Sequence, residues 1–340
     1  MATSNKVSLG LIGAGRIGRL HAGNIRRRLR NVDLIAVADV DLAAAEELAA
    51  ELDIPKVVAD YRKIIEDRDI EAVVICSSTD THARICQDAA ALGKHIFCEK
   101  PIDLDLKRID ATLLAVKQAD VKLQVGFNRR FDPNFRRVRQ SVADGTIGVP
   151  HLLRITSRDP QPPPLDYIRV SGGIFLDMTI HDFDMARYLV GSEVRAVYAG
   201  GGVMVDPAIG QAGDIDTALV TLHFENGVLG AIDNSRQAVY GYDQRVEVFG
   251  SEGVIMVGNE TPDRHTFLNR QGSHSALPLY FFLERYTESY AAEMEAFVEC
   301  ILNDTPPPVS GEDGRAPVAM GLAAGLSLRE RRVVEISEVG

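Results

Sequence analysis

Two stretches of the chain carry residue types that can move a proton and hold a reacting oxygen. Glu99-Lys100-Pro101 places a lysine directly after a short apolar run, 95–98, that reads as a strand. A lysine at the carboxyl end of a strand can hydrogen-bond a substrate hydroxyl and help move its proton, and partial burial tunes it toward that task. Taken alone, a Lys-Pro dipeptide is equally a surface turn. In the second stretch, 172–184, Asp177, His181 and Asp184 are spaced i, i+4 and i+7 and so share one face of a helix. The apolar Phe175, Leu176, Met178, Ile180 and Phe183 take the other faces. Such a polar stripe is costly to bury unless it faces a wet cleft. A carboxylate beside an imidazole orients the ring and favours its protonated form, as a general base requires. Two other readings stand beside this one. Asp177 is a helix cap with His181 a satisfied core histidine, or the stripe is a divalent-metal site, for which the sequence offers no other clear ligand cluster.

A third motif suggests what these groups act with. Gly13-Ala14-Gly15-Arg16-Ile17-Gly18 follows the strand-like Val7–Ile12 and opens the helical pattern Arg16–Arg28. That is the context a dinucleotide fingerprint requires. Gly13 permits the tight turn, Gly15 lets the backbone approach a pyrophosphate, and Gly18 lets the helix pack closely on the strand. The helix start, with Arg16 and Ile17, then faces the phosphates with free N–H groups. Asp39 ends the second strand, where the acid that binds the adenosine ribose belongs. It accepts from the 2′-hydroxyl and repels a 2′-phosphate, and the residues that follow, Val40 and Asp41, supply no compensating base. NAD is therefore the expected cofactor rather than NADP. Asp39 could instead cap the helix starting at Leu42, but Asp41 is better placed for that. After the strand at 72–76, Ser77, Ser78, Thr79 and His82 lie where small polar groups line the nicotinamide ribose and diphosphate, as do Glu99 and Lys100 after the next strand. Asp80 or Thr81 is at the same time a candidate cap for the following helix.

The elements that must position these residues fall into two halves. Through about residue 125, short unbroken apolar runs alternate with amphipathic helical segments, the pattern of parallel strands covered on both faces. The fold class is α/β: a doubly wound Rossmann domain over 1–125. The remainder, 126–340, reads as an α+β domain with a large open, mainly antiparallel sheet. Its helices are expected at 133–144 and 177–190, and its strands at 151–157, 194–201, Thr217–Phe224, 228–235, 244–249 and 254–257. Asn226-Gly227 marks a hairpin. Helices at 284–303 and 315–332 close the chain.

The composition narrows the function further. With 340 residues, 46% of them hydrophobic, there is material for two cores. A net charge of −11 repels a phosphate backbone, so nucleic acid is not an expected partner. The basic run Arg26-Arg27-Arg28 with Arg30 reads as a solvated helix face or a subunit contact. The four cysteines, Cys76, Cys86, Cys98 and Cys300, form no C-x-x-C pair, so neither zinc nor any other structural metal is expected and a reduced, cytoplasmic setting is. Residues 1–6 lack the pattern of a secretory leader, and no apolar run is long enough to span a bilayer.

Together, the GAGRIG motif, Asp39, the EKP of Glu99-Lys100-Pro101 and the string GGIFLDMTIHDFDMARYL from Gly172 resemble the glucose–fructose oxidoreductase/inositol dehydrogenase (Gfo/Idh/MocA) family over essentially the whole chain. The resemblance implies that Lys100, Asp177 and His181 are catalytic. It implies a homotetramer built through the open sheets, and a C-terminal helix that returns to the first domain. DMTIHDFDMARYL, with 126–132 and Tyr240-Gly241-Tyr242-Asp243, is most similar to the inositol 2-dehydrogenases within the family. Arg130, Asp184 and Tyr242 would then line a polyol site. In that reading His181 takes a hydroxyl proton, Lys100 holds the same oxygen, Asp177 orients His181 and Asp184 accepts ring hydroxyls. The same machinery would serve another inositol isomer or an aldose. A regulator that only binds NAD(H) would have no need of the proton-transfer set.

Overall fold

Val7–Ile12 (β1) is apolar at nearly every position and almost wholly buried, because helices cover the sheet on both faces. It is followed by Arg16–Arg28 (α1), Val32–Ala38 (β2), Leu42–Leu52 (α2), Lys56–Val58 (β3), Arg62–Ile65 (α3), Ala72–Ile75 (β4), Thr79–Ala91 (α4), His95–Glu99 (β5), Leu106–Ala119 (α5) and Leu123–Gly126 (β6). The six strands run parallel in the order β3-β2-β1-β4-β5-β6, the doubly wound order with its switch point between β1 and β4. The computed structural model describes residues 6–340; residues 1–5, part of the segment read as lacking a leader, lie outside the described residues.

The strand–helix turns are built as the residue types dictate. The Asp41 side chain accepts from the Ala44 N–H and caps α2, and Asp105 caps α5 in the same way. Gly13, at φ +104°, occupies a conformation that strains any side chain. At Gly18 a Cβ would lie 1.9 Å from the Gly13 carbonyl oxygen, so only glycine lets α1 come this close to the loop. The arginine run on α1 is neutralised locally: Arg27 reaches Glu51 at 2.7 Å, Arg28 pairs with Glu288, and Arg26 donates to the Leu52 carbonyl.

The second unit continues with Pro133–Ala143 (α6), Pro150–Arg158 (β7), Leu165–Ile168 (α7), Gly173–Asp177 (α8), Thr179–Val190 (α9), Val194–Gly202 (β8), Pro207–Gln211 (α10), Thr217–Phe224 (β9), Leu229–Ser235 (β10), Asp243–Gly250 (β11), Gly253–Val257 (β12), Thr266–Asn269 (β13), Gly272–Ser275 (β14) and Phe282–Arg285 (α11). Thr287–Leu302 (α12), Gly311–Glu330 (α13) and Val334–Glu335 (β15) complete the chain. The large sheet has the order β12-β11-β7-β10-β9-β8-β15; β7 and β10 are parallel and every other pair is antiparallel. β9 alternates buried and open positions, as a strand with one covered face must. α9 packs on β7 and β10 through the covered face.

The sequence boundaries hold to within a few residues for most elements, with four differences. The helix expected at 177–190 is two helices that meet at Met178. The one expected at 284–303 is also two, α11 and α12. The β13–β14 hairpin, the short strands β3 and β15 and the short helices α3, α7 and α10 carry too little periodicity to be read. The first unit extends to Asn128 and takes back Glu288–Ala316, while Pro317–Gly340 belongs to the second. The returning segment is α12 with the first turn of α13: Met294, Phe297 and Val298 of α12 complete the apolar core under β1 and β5, and Arg315 of α13 pairs with Asp110 of α5.

The contact at Gly18 makes a sharp test. Gly18→Ala forces the loop backbone to shift and should cost about 1–3 kcal/mol of stability through overpacking. Gly15→Ala meets nothing within 4 Å and should leave the unfolding midpoint in urea unchanged.

Candidate active site

The glycine loop is held from below by a carboxylate. Asp39 Oδ2 accepts from the Ala14 N–H at 2.6 Å and Oδ1 from the Asp41 N–H at 2.8 Å. The side chain stays half-exposed at the end of β2, and a carboxylate's four acceptor positions leave room for a ribose diol. Asp41, not Asp39, caps α2, as expected. No side chain caps α1, so its first N–H groups remain directed at the loop mouth, where Gly15 and Arg16 are exposed and Ile17 is half-buried. Open space around Gly15 and an uncapped positive helix end are what a diphosphate needs. The residues present therefore fit NAD.

Ser77, Ser78 and Thr79 stand at the end of β4 and the start of α4, partly open to solvent. Ser77 Oγ bonds Thr81 Oγ1 at 2.7 Å, and Thr81 Oγ1 donates to the Ser78 carbonyl, so Thr81 stiffens this turn. His82, expected among the cofactor contacts, has another task. It is buried, with Nδ1 2.9 Å from the Pro101 carbonyl and Nε2 2.9 Å from the Ser77 carbonyl. Both ring nitrogens are spent tying the Ser77 turn to the turn after β5, and none is left to meet a cofactor. Glu99 is likewise buried: Oε1 meets His21 Nε2 at 2.7 Å and Oε2 accepts from the Lys100 N–H at 3.3 Å. It holds the lysine's backbone amide in place. Lys100 follows β5 and is half-buried.

In the second unit Asp177 ends α8 and His181 lies in the first turn of α9. The break at Met178 separates them, so the expected single-helix stripe is not continuous. Asp177 Oδ1 accepts from the Tyr167 hydroxyl at 2.8 Å and Oδ2 from Arg236 Nη1 at 3.2 Å. Arg236 is fully buried and also donates to Asp214, whose Oδ1 receives the Ile174 N–H inside α8. The helix that presents Asp177 is thus anchored by the arginine that grips its carboxylate. His181 is half-buried, while Asp184 points into the core.

The residues expected to line a polyol site, Arg130, Asp184 and Tyr242, are each engaged by another side chain. Asp184 is fully buried and engaged by Arg130 through Nε and Nη2 at 2.6–3.0 Å. Each side chain thus has the other as its charged partner. Tyr242 is buried too, its hydroxyl accepting from Arg129 Nη2 at 3.2 Å, and burial pushes its phenol well up. The reason is local. Arg129, Asp182 and Asn234 form a dry network, with Arg129 to Asp182 at 2.7 Å and Asn234 to Asp182 at 2.8 Å, and Tyr242 closes it. Burial raises the Asp182 carboxyl, against the pull of Arg129 and Asn234.

Sequence reasoning passed over Arg129, Arg236, Asp182, Asn234 and Asp159. Their partners lie on other elements, from 22 to more than fifty residues away along the chain for the hydrogen-bonded pairs, and no spacing rule reaches that far. A charged residue inside an apolar string, such as Asp182, was the one available signal. Asp159, half-buried after β7, has its carboxyl pushed from an ordinary 3.8 up to about 7 by burial and by Asp177, against the pull of Arg236 and Arg129. The folded carboxyl thus keeps its proton to about pH 7 while an unfolded one loses it near 3.8. Stability from this group is full in acid and is lost as pH rises through that window. In Asp159→Asn the melting temperature should fall less than in wild type between about pH 4 and 7; parallel curves would remove the assignment.

Two family models match the chain. One, described as an oxidoreductase family with an NAD-binding Rossmann fold, covers residues 7–127; the other, the GFO/IDH/MocA C-terminal domain, covers 135–256. The myo-inositol 2-dehydrogenase of Thermotoga maritima is 52% identical over 331 residues, 97% of this chain and 99% of its own. The inositol 2-dehydrogenase of Rhizobium meliloti is 48% identical over 97% of this chain and 99% of its own. The crystal structure of scyllo-inositol dehydrogenase from Lactobacillus casei with bound NAD(H) and scyllo-inositol superimposes with a TM-score of 0.92 at 31% identity, covering 98% and 99% of the two chains. On matches that span both units, the chain belongs to the GFO/IDH/MocA family of NAD-binding oxidoreductases.

Proposed function

We propose that this protein oxidises one secondary hydroxyl of myo-inositol to the ketone, 2-keto-myo-inositol, with NAD as acceptor. The observation that carries the reading is the 52% identity to a myo-inositol 2-dehydrogenase along the full length of both chains. Bound NAD supplies a hydride acceptor at its nicotinamide C4. His181 accepts the hydroxyl proton as general base. Lys100 donates a hydrogen bond to the same oxygen and stabilises alkoxide charge as it develops. Asp177, fixed by Tyr167 and Arg236, keeps the proton-accepting end of the machinery in register. Asp39 disfavours a 2′-phosphate and so selects NAD over NADP. The free cysteines agree with a reduced cytoplasm and a place in inositol breakdown, and no described helix is long and apolar enough to cross a membrane.

The test is NADH formation followed by absorbance with NAD and myo-inositol at mildly alkaline pH. Turnover is expected with NAD and not with NADP. Lys100→Ala should lower kcat by about 10²–10⁴-fold with NAD binding kept. Wild-type turnover in that variant would sink the mechanism. Activity on scyllo-inositol or an aldose alone would move the substrate, and NAD binding without turnover on any polyol would mark a regulator.

We further propose that the protein is a homotetramer joined through the open face of the large sheet. Val254, Phe249, Leu152 and Leu229 are register partners in turn across β12, β11, β7 and β10, and all four are exposed. A contiguous apolar row of this kind is the usual mark of a covered face. Sedimentation should give a tetramer for wild type and a smaller species for Phe249→Glu; a wild-type monomer would overturn the assembly.

A further inference from the structure

Behind the Lys100 turn lies a group of ionisable side chains that the proposed reaction does not use. His21 from α1, Glu99 from β5 and Glu293 from α12 bring one ring nitrogen and two carboxylates within 4.8 Å of one another. The His21 and Glu293 side chains are wholly buried and that of Glu99 is 11% exposed. His21 Nε2 is 2.7 Å from Glu99 Oε1 and 3.9 Å from Glu293 Oε1. Glu99 Oε2 takes the Lys100 N–H. Neither Glu293 oxygen has a hydrogen-bond partner among the described residues, and neither does His21 Nδ1.

The surroundings allow little else. Phe97 and Tyr290 stand edge-on to the imidazole, with ring centroids 5.0 and 5.7 Å away. A Cβ on Gly126 would come within 3.0 Å of the Glu99 carboxyl, so this strand end is cut away to admit it. Gln124 Nε2 donates to the Glu293 carbonyl at 2.7 Å and fixes that residue's place on α12. The titratable neighbours include Tyr290 and two thiols: burial, Glu99 and Glu293 push Cys76 at the end of β4 well up, and burial, Cys86 and Glu99 push Cys98 of β5 well up, so that both thiols stay neutral. Burial, with Glu99 beside it, likewise drives the Glu293 carboxyl well above its usual range. Two ionised carboxylates around one imidazole, with no hydrogen-bond donor on either Glu293 oxygen among the described residues, would be prohibitively costly in so dry a pocket. A metal does not resolve it: ligand atoms on tetrahedral zinc sit about 3.3 Å apart, whereas the His21–Glu99 contact is a hydrogen bond in length.

We propose that His21, Glu99 and Glu293 form a buried positioning relay, in which a neutral Glu293 lies beside the His21–Glu99 contact on the same side of the ring, His21 donates to Glu99, and Glu99 holds the amide of Lys100. The inference rests on the assignment of Lys100 to the reaction. Its physical content is that the setting of Lys100 depends on one proton stored on the wholly buried Glu293 of α12. Glutamine reproduces the shape and neutrality of a protonated Glu293; leucine removes the polar group.

Two measurements on the full-length protein need no turnover. The infrared carbonyl band of a buried protonated carboxylic acid should be present at neutral pH in wild type and missing in Glu293→Gln. The amide resonance of Lys100, in protein labelled at lysine nitrogen, should move in Glu293→Leu and stay in place in Glu293→Gln. In turnover, Glu293→Leu should lower kcat by roughly tenfold or more with a changed pH profile and little change in KM for NAD, and Glu293→Gln should restore it. Absence of the band, a resonance unmoved by leucine, or glutamine as damaging as leucine would each overturn the relay. Should wild type turn over no polyol, the proposed reaction falls, while the band and the resonance still judge the relay.

Discussion

Taking an ionised side chain out of water costs several kcal/mol, and the protein recovers that only by giving the charge a partner of good geometry. Both units are organised around this requirement. In the second, Arg129 with Asp182, Arg285 with Asp132, and Arg236 with Asp177 and Asp214 are buried pairs. In the first, His21, Glu99 and Glu293 meet beneath the strand ends. Such pairs add little net stability over apolar packing, yet removing one partner strands the other. Their effect is to permit one arrangement and penalise its neighbours.

That constraint explains why the elements carrying the proposed chemistry are short and tightly tied. α8 has five residues and no capping side chain. It is held because Asp214 takes its Ile174 N–H and Arg236 joins Asp214 to Asp177. The turn after β5 is held the same way, by His82 on the Pro101 carbonyl and Glu99 on the Lys100 amide. Groups that must meet a reacting atom within a fraction of an ångström need this kind of support from residues that never touch it.

The cofactor side relies on backbone instead. The glycine loop offers N–H groups and space, and Asp39 holds the loop from beneath while keeping acceptor capacity for a ribose. Backbone donors cost no side-chain entropy to order, which suits a ligand that must leave after each turnover. The polyol side differs. Arg130, Asp184 and Tyr242, which the family resemblance places at a polyol site, are side chains already tied to charged partners, Arg130 and Asp184 to each other and Tyr242 to Arg129.

The amino-acid sequence by itself determined the class of fold, the parallel strands, the glycine turn, the acid at position 39 and the two motifs around Lys100 and His181. These are legible because each rests on local rules: unbroken apolar runs, helix starts, and turn residues at fixed offsets. The tertiary structure alone decided which charges meet. Arg236 finds Asp177 across 59 residues, Arg129 finds Asp182 across 53, and His21 finds Glu99 across 78. It also decided that His82 and Asp184 are buried against partners from distant elements, and that α12 completes the first core. Periodicity reports which face of an element is buried. It carries no record of which distant element lies against that face, and only the strand order and the crossovers between strands settle that.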